Sequence, residues 1–326
     1  MPDLYATFDA GGGGAGTPGD PYTILEADAN AVAGDNIYVK VGTYDVQDGV
    51  TGAVLAITTS GTVGQWRMWR AYTSTIDDFS VGDAPPVVID ASTNTLTNAM
   101  TVAASYNKFI GFQFTGASSH GVSYGSSDTG SFKGCLFDGN GGRGFAGDNT
   151  FCFEVCEFTN NTTGSDLDNA SQLIACKIHN EPTNAFTMGS NNLVRASVFY
   201  NNGNGNNLSF NGTNNVVDGC VFDGENQASS IGVHQSGSSN TLNAILNNIF
   251  FDLNVGVNFN TGGVEEPFMR GYNLFYSCTT DYDVLSLMDT DVSGTSDPFT
   301  SSATRDYTLK TGSEAIDAGL DQENAA

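Results

Sequence analysis

The chain has 326 residues, with 36 acidic and 11 basic side chains and a formal net charge of −25. Such a field repels nucleic-acid phosphates and anionic membrane surfaces, so neither is an expected partner. Hydrophobic residues at 39% are too abundant for a disordered chain, and 40 glycines among many Asn, Ser and Thr suit tight turns between short strands.

After Met1 the residues PDLYATFDAGGGG contain neither a basic start nor an apolar run, so no signal peptide is read there. No stretch is long and apolar enough to cross a membrane. Residues 20–34, DPYTILEADANAVAG, predict one short helix, with Asp20 as its cap, Pro21 in its first turn and Gly34 at its end. Tyr22, Leu25, Ala29 and Val32 fall on one face of it. Such a helix would plug an open first coil, whose bare edge invites aggregation. NIYVKVGTYDV (36–46) then reads as the first strand pair.

From residue 110 onward a short pattern recurs, as in IGFQFTGA (110–117), KGCLFDGN (133–140), EVCEFTNN (154–161) and DGCVFDGE (218–225). Its apolar anchors are Phe114, Phe137, Phe158, Ile178, Phe199, Phe222, Phe250 and Phe275, which recur every 20 to 28 residues. That period matches one coil of a stacked parallel β-solenoid, and leucine is too rare for a leucine-rich repeat. Strand alternation turns the residues two before each anchor inward as well, among them Cys135, Cys156, Cys176 and Cys220. These thiols are expected to be reduced and to act as small apolar fillers.

The ends of the chain carry a family resemblance. AVAGDNIYVKVGTYDV (31–46) resembles the opening segment of right-handed parallel β-helix proteins of the pectate-lyase-like superfamily, and NKFIGFQFTGASSHGV (107–122) is similar to their early coils. SDPF (296–299) followed by DYTLKTGSEAIDAG (306–319) resembles a closing motif of that superfamily. The resemblance implies an all-β, right-handed parallel β-helix with a short N-terminal capping helix. Its parts would be the N-terminal segment and helix in residues 1–34, coils in 35–290 and a closing segment in 291–326, all in one continuous domain. The superfamily holds polysaccharide lyases, glycoside hydrolases, phage tailspikes and non-catalytic virion or surface proteins, so it does not choose a function.

A lyase of this superfamily would need a Lys or Arg base beside calcium held by acidic residues. Lys177 and Arg195, with Glu154, Glu157, Asp166 and Asp168 one coil earlier, are the best set available; the alternative is that they are scattered, solvated surface charges. A glycosidase needs two carboxyl groups across a groove, and the nearby Asp166 and Asp168 read as lying in a turn. DTDVSGTSD (289–297) echoes a calcium loop through Asp289, Asp291, Ser293 and Asp297, although Thr300 stands where a chelating Glu is needed. Calcium is therefore the one cofactor the sequence suggests, against a plain polar turn. His120, His179 and His234 are dispersed and read as turn or surface residues.

The residues flanking the late anchors should face outward. They place Val198, Tyr200, Val221, Ile249, Phe251, Leu274 and Tyr276 on one outer surface. A contiguous apolar stripe on a solenoid marks a contact site. Its uses would be side-by-side association into a homo-oligomer, a trimer first, contact with a virion partner protein, or an aromatic platform for sugar rings. The alternative is that a late loop such as 278–296 folds over it. These readings lead to an expected function: a non-enzymatic structural or adhesive β-helix protein on a virion or outside the cell, for example a phage spike contacting a surface glycan. A carbohydrate-active enzyme, either lyase or depolymerase, and a secreted cell-surface repeat protein stay open beside it.

Overall fold

A computed structural model of the chain describes residues 3–8, 11–45, 52–75, 79–80, 83–93, 96–125, 128–225, 227–236, 242–259, 269–283 and 285–316. The chain divides into two compact units, Met1–Ser171 and Gln172–Ala326. Each is right-handed parallel β-helix, with about eight turns in the whole chain. Every full coil contributes a strand to sheet I, turns a corner into sheet II, and passes through sheet III before the next coil begins.

In the N-terminal unit sheet I contains Asp3–Ala6, Asn36–Lys40, Arg67–Tyr72, Asn107–Ile110, Gly130–Lys133 and Phe151–Glu154. In the C-terminal unit it contains Gln172–Ile174, Leu193–Arg195, Val216–Asp218, Ala244–Leu246 and Met269–Gly271. The anchors lie in sheet II and stack in register: Phe114 on Phe137 and Phe137 on Phe158 in the first unit, then Ile178, Phe199, Phe222, Phe250 and Phe275 in the second. Ring centroids are 4.5 Å apart for Phe137 and Phe158 and 4.9 Å for Phe199 and Phe222, about the strand spacing itself.

From residue 111 onward the corner between sheets I and II turns on one residue in the left-handed region. Gly134 has φ 57°, Val155 53°, Ala196 50° and Asn247 59°. This kink swings the following side chain into the wedge between two sheets. Cys135, Cys156, Cys176, Ser197, Cys220, Asn248 and Asn273 all sit there, buried as the alternation predicts. The wedge is narrow, which explains the small thiols. All four cysteines are free, and burial pushes the Cys220 thiol up to about 12, so it is unreactive. The corner between sheets III and I is variable. In the C-terminal unit it spans residues 191–192, 211–215, 236–243 and 260–268 in successive coils. Residues 237–241 and 260–268 lie outside the described residues.

The N-terminal helix is shorter than expected and starts later. α1 spans Ile24–Asn30, and its cap is Thr23, not Asp20. Thr23 and Glu26 form a reciprocal capping box, with Glu26 N–H donating to Thr23 Oγ1 at 3.2 Å and Thr23 N–H to Glu26 Oε2 at 2.9 Å. Asp20 instead pairs with Thr17 in a tight turn, and Ala31 rather than Gly34 is the C-cap. The later start rotates the buried face to Ile24, Ala27 and Asp28, leaving Ala29 and Val32 in solvent.

Asp28 is the reason for that rotation. Its carboxylate accepts from Arg67 Nη1 at 2.7 Å and from the Thr58 N–H and Oγ1 at 2.9 Å each. Arg67 is wholly buried and lies over the Trp69 ring. A buried charge is tolerable when it is paired and hydrogen-bonded, and this network ties α1 to the first coils.

At the other end, Phe299–Ser301 and Asp306–Leu309 pair antiparallel as a hairpin and add no further coil. Residues 317–326 of the expected closing segment lie outside the described residues.

Candidate functional site

The residues singled out in the sequence do not converge. Lys177 is exposed in sheet II, whereas Arg195 ends a sheet I strand, with the corner at Ala175 and Cys176 between their strands. Arg195 Nε donates to Asp218 Oδ2 at 3.1 Å on the next coil. Glu154 pairs with Lys133 at 2.5 Å, and Glu157 is half-buried in its strand. Exposed ion pairs of this kind contribute about 0–1 kcal/mol and hold no substrate by themselves.

The side chains of the calcium-loop echo take part in local hydrogen bonds. Asp291 accepts from the Asn273 N–H at 3.0 Å through one oxygen, and from Tyr282 OH at 3.1 Å and the Met288 N–H at 3.0 Å through the other. Asp297 accepts from the Phe299 N–H at 2.8 Å and Ser302 Oγ at 2.7 Å. Ser293 Oγ faces Asp281, and Asp289 is exposed. The carboxylates thus terminate local backbone, and the described residues hold no cluster of ligands suited to a metal.

The outer stripe is partly interior. Phe251 and Leu274 are buried, and Val198, Val221 and Ile249 are half-buried. Part of the cover comes from the C-terminal hairpin, with Phe299 5.4 Å from Phe251, and within residues 278–296 Val292 pairs with Leu274. Tyr307 packs 6.1 Å from Tyr200, and Arg305 lies over that ring while pairing with Glu225 at 2.9 Å. Tyr276 stacks on Phe251 and His179 on Tyr200. Tyr307 OH donates to Asp223 at 2.9 Å, where burial raises the carboxyl from 3.8 to about 6.

Two further surfaces gather functional chemistry, both in the N-terminal unit. On sheet III, Asp166 and Asp168 belong to the strand Ser165–Asn169 and not to a turn, and they face outward between buried neighbours. Arg143 reaches Asp166 at 3.2 Å. Burial raises the Asp166 carboxyl above its ordinary value; Arg143 opposes that, and Asp168 and Asp148 add to it. Nearby, burial and then Arg143 lower the His120 imidazole.

The second surface is a groove on the outer face of sheet I. Its floor is one in-register column: Asn36, Met68, Lys108, Ser131 and Cys152. Gly34, Gly64, Gln65, Trp66 and Arg70 complete the lining around about 590 Å³. Trp66 is half-buried and braced edge-on by Tyr106 at 5.6 Å. Beside the groove the next column runs Tyr5, Tyr38 and Arg70, of which Tyr38 is buried. Tyr5 stacks on Tyr38 at 5.6 Å, and Tyr72 meets both edge-on. Apolar walls with a few convergent polar groups are the ordinary composition of a ligand site.

No family model and no curated protein matches this sequence. Among solved structures, the crystal structure of pectate lyase Pel9A is similar over 99% of this chain and 93% of its own, with a TM-score of 0.70 at 16% identity. The fold is that of the pectate-lyase-like β-helix. A rhamnogalacturonan lyase is similar over 91% of both chains, with a TM-score of 0.56 at 13% identity. At such identities the likeness to this β-helix fold concerns the course of the backbone, and no side-chain role is carried over.

Proposed function

We propose that the protein is a carbohydrate-contacting β-helix protein that serves as a non-enzymatic attachment protein, on a virion or outside a cell. Its contact surface is the sheet I groove. The observation that carries this reading is the half-buried Trp66, braced by Tyr106 in the groove lining, on a sheet whose successive strands pass beneath it at a regular step. Flat aromatic faces match the apolar faces of pyranose rings, and Asn36, Gln65 and Ser131 supply hydrogen bonds for ring hydroxyls. A polymer running across the strands meets a new one every ~4.8 Å, so a linear glycan is read repeatedly. The similar structures named above are polysaccharide lyases, which agrees with sugar polymers as ligands. Affinity electrophoresis in gels containing plant, algal and bacterial polysaccharides tests the reading. The wild-type chain should be retarded by at least one polymer, and Trp66→Ala should lose that retardation. Unretarded migration of the wild type in every gel would count against it.

A second reading is favoured by Asp166 and Asp168. Two residues apart on one strand, they face the same outer side of sheet III, as the paired carboxyl groups of a glycoside-cleaving acid and base must. Asp166, with its raised carboxyl, would be the acid and Asp168 the base. Release of reducing ends by the wild type but not by Asp166→Asn would establish it, and unsaturated ends would point to a lyase instead.

A further inference from the structure

We infer that a column of side chains on the outer face of sheet III in the C-terminal unit, Thr187, Ser209, His234, Asn258 and Asp283, is a further site that cleaves short-chain O-acyl esters, with Ser209 as nucleophile and His234 as its base. The inference is separate from the attachment reading, whose groove lies in the N-terminal unit and does no chemistry, so either can fail without the other. The five residues stand on successive strands, Phe186–Ser190, Asn206–Phe210, Ile231–Gln235, Val255–Phe259 and Thr280–Asp283. They pair in register: Thr187 with Ser209, Ser209 with His234, His234 with Asn258 and Asn258 with Asp283. Each directly follows a buried apolar residue, namely Phe186, Leu208, Val233, Val257 and Tyr282, so strand alternation turns all five outward. His234 is thus a half-buried strand residue in a polar row, not a turn residue. Neighbours in such a column stand about 4.8 Å apart, which puts each side chain within reach of the next.

Hydrogen bonds fix the state of the imidazole. Asp283 can only accept, so Asn258 turns Nδ2 to it and donates to Oδ2 at 2.7 Å. That leaves Asn258 Oδ1 facing His234 Nδ1 at 3.0 Å, so Nδ1 carries the proton and Nε2 keeps its lone pair. A histidine held in one tautomer by a fixed acceptor, with a hydroxyl on the neighbouring strand, has the parts of a base and its nucleophile. Ser209 Oγ attacks the ester carbonyl carbon as its proton passes to His234 Nε2. The tetrahedral intermediate collapses, the bond to the alcohol oxygen breaks, and Nε2–H protonates that leaving oxygen. Water then attacks the acyl-serine and gives a proton to Nε2; the acid leaves, and Ser209 Oγ takes that proton back. Thr187, on the other side of Ser209, offers its hydroxyl to the oxyanion. The backbone N–H groups of these strands are committed to the sheet ladder, so a single side-chain donor suits a reactive ester better than an amide. Two residues beyond Ser209 and His234 stand Asn211 and Ser236, exposed and polar, which form no wall for a long acyl chain. Asn258 and Asp283 are positioning residues.

The full-length chain is incubated with para-nitrophenyl acetate and, separately, with diisopropyl fluorophosphate, whose adduct is located by peptide mass spectrometry. Hydrolysis above the rate of free imidazole is expected, with the adduct on Ser209, and Ser209→Ala should abolish both. His234→Ala should slow hydrolysis by about 100-fold or more, and added imidazole should restore part of it, which a merely structural loss would not allow. Asn258→Leu should lower kcat by about tenfold or more with KM little changed. The adduct is read on the wild type, so it does not depend on any variant folding. No adduct on Ser209, no hydrolysis by the wild type, or hydrolysis that survives Ser209→Ala would overturn the site. Faster cleavage of para-nitrophenyl palmitate than of the acetate would overturn the short-chain preference.

Discussion

Inside the N-terminal unit, Phe132 meets the rings of Phe109, Phe114, Tyr124, Phe137, Phe145 and Phe153. Inside the C-terminal unit, Phe222 meets Phe199 and Phe250 along one column, and asparagines take over much of the remaining alignment. There Asn215 Oδ1 accepts from the Asn192 N–H at 3.0 Å, and Asn243 Oδ1 from the Asn215 N–H at 2.8 Å. Asn273 repeats the device for the Asn248 N–H at 3.0 Å, and Asp291 then ends that ladder. The N-terminal unit has an amide pair of its own, Asn161 Oδ1 accepting from the Asn140 N–H at 3.2 Å, so the units differ in the proportion of two ways of aligning coils. Aromatic packing fills volume from all sides and tolerates small rotations. A buried amide ladder is directional and fixes register residue by residue.

The comparison makes Phe132→Ala the costliest change, toward the upper end of about 3–5 kcal/mol, with Phe222→Ala clearly cheaper because fewer rings lose a neighbour. Denaturant unfolding of the full chain measures both, and equal costs would break the contrast. Asp28→Ala tests the exception, the ionic network within the aromatic unit. It leaves Arg67 buried without its carboxylate and should cost about 3–4 kcal/mol, whereas replacing Asp28 and Arg67 together by apolar residues of similar size should restore much of this. Asn215→Ala orphans the Asn192 N–H and should cost about 1–3 kcal/mol. Asn215→Asp keeps the acceptor and should spare that bond, but it loses the amide bond to the Gly189 carbonyl.

The smallest effect is local and depends on pH. Asp223 under the C-terminal hairpin has a carboxyl raised to about 6 by burial, with Glu225 and Asp252 adding to the rise. The docked hairpin therefore binds this proton more tightly than the free carboxyl does. Docking is most favourable below 3.8, weakens as pH rises toward about 6, and stays weaker above that. Amide exchange of Phe299–Ser301 should speed up across that window, beyond the intrinsic rise of exchange with pH, and Asp223→Asn should remove the excess. A hairpin that exchanged more slowly at the higher pH would show that Tyr307, Arg305 and Phe299 fix it without regard to Asp223.

The column of Phe137, Phe158 and Phe222 was legible in the sequence because large rings recur at one coil's length, and the thiol column followed from strand alternation. The corner was not. Val155 and Ala196 adopt left-handed backbone, a conformation that local sequence assigns to glycine or asparagine, and stacking on neighbouring coils imposes it here. The helix start was misread because Asp20–Pro21 imitates a cap three residues ahead of the true Thr23–Glu26 box. The groove left no local signal: Asn36, Met68, Lys108, Ser131 and Cys152 become neighbours through strand register alone. The outward stripe was real as a pattern, but it said nothing of a hairpin that returns from residues 299–309 to lie on it.

The unequal corners also bear on how such a chain changes over generations. From residue 111 onward one corner turns on a single left-handed residue, so these coils enter sheet II at a repeated angle, like the teeth of an escapement. The opposite corner differs in length between coils, two residues at 191–192 and five at 211–215, so insertions at 211–215 should leave the stacked rings in step. Foreign peptide spliced at those positions should be carried without disturbing the coils on either side.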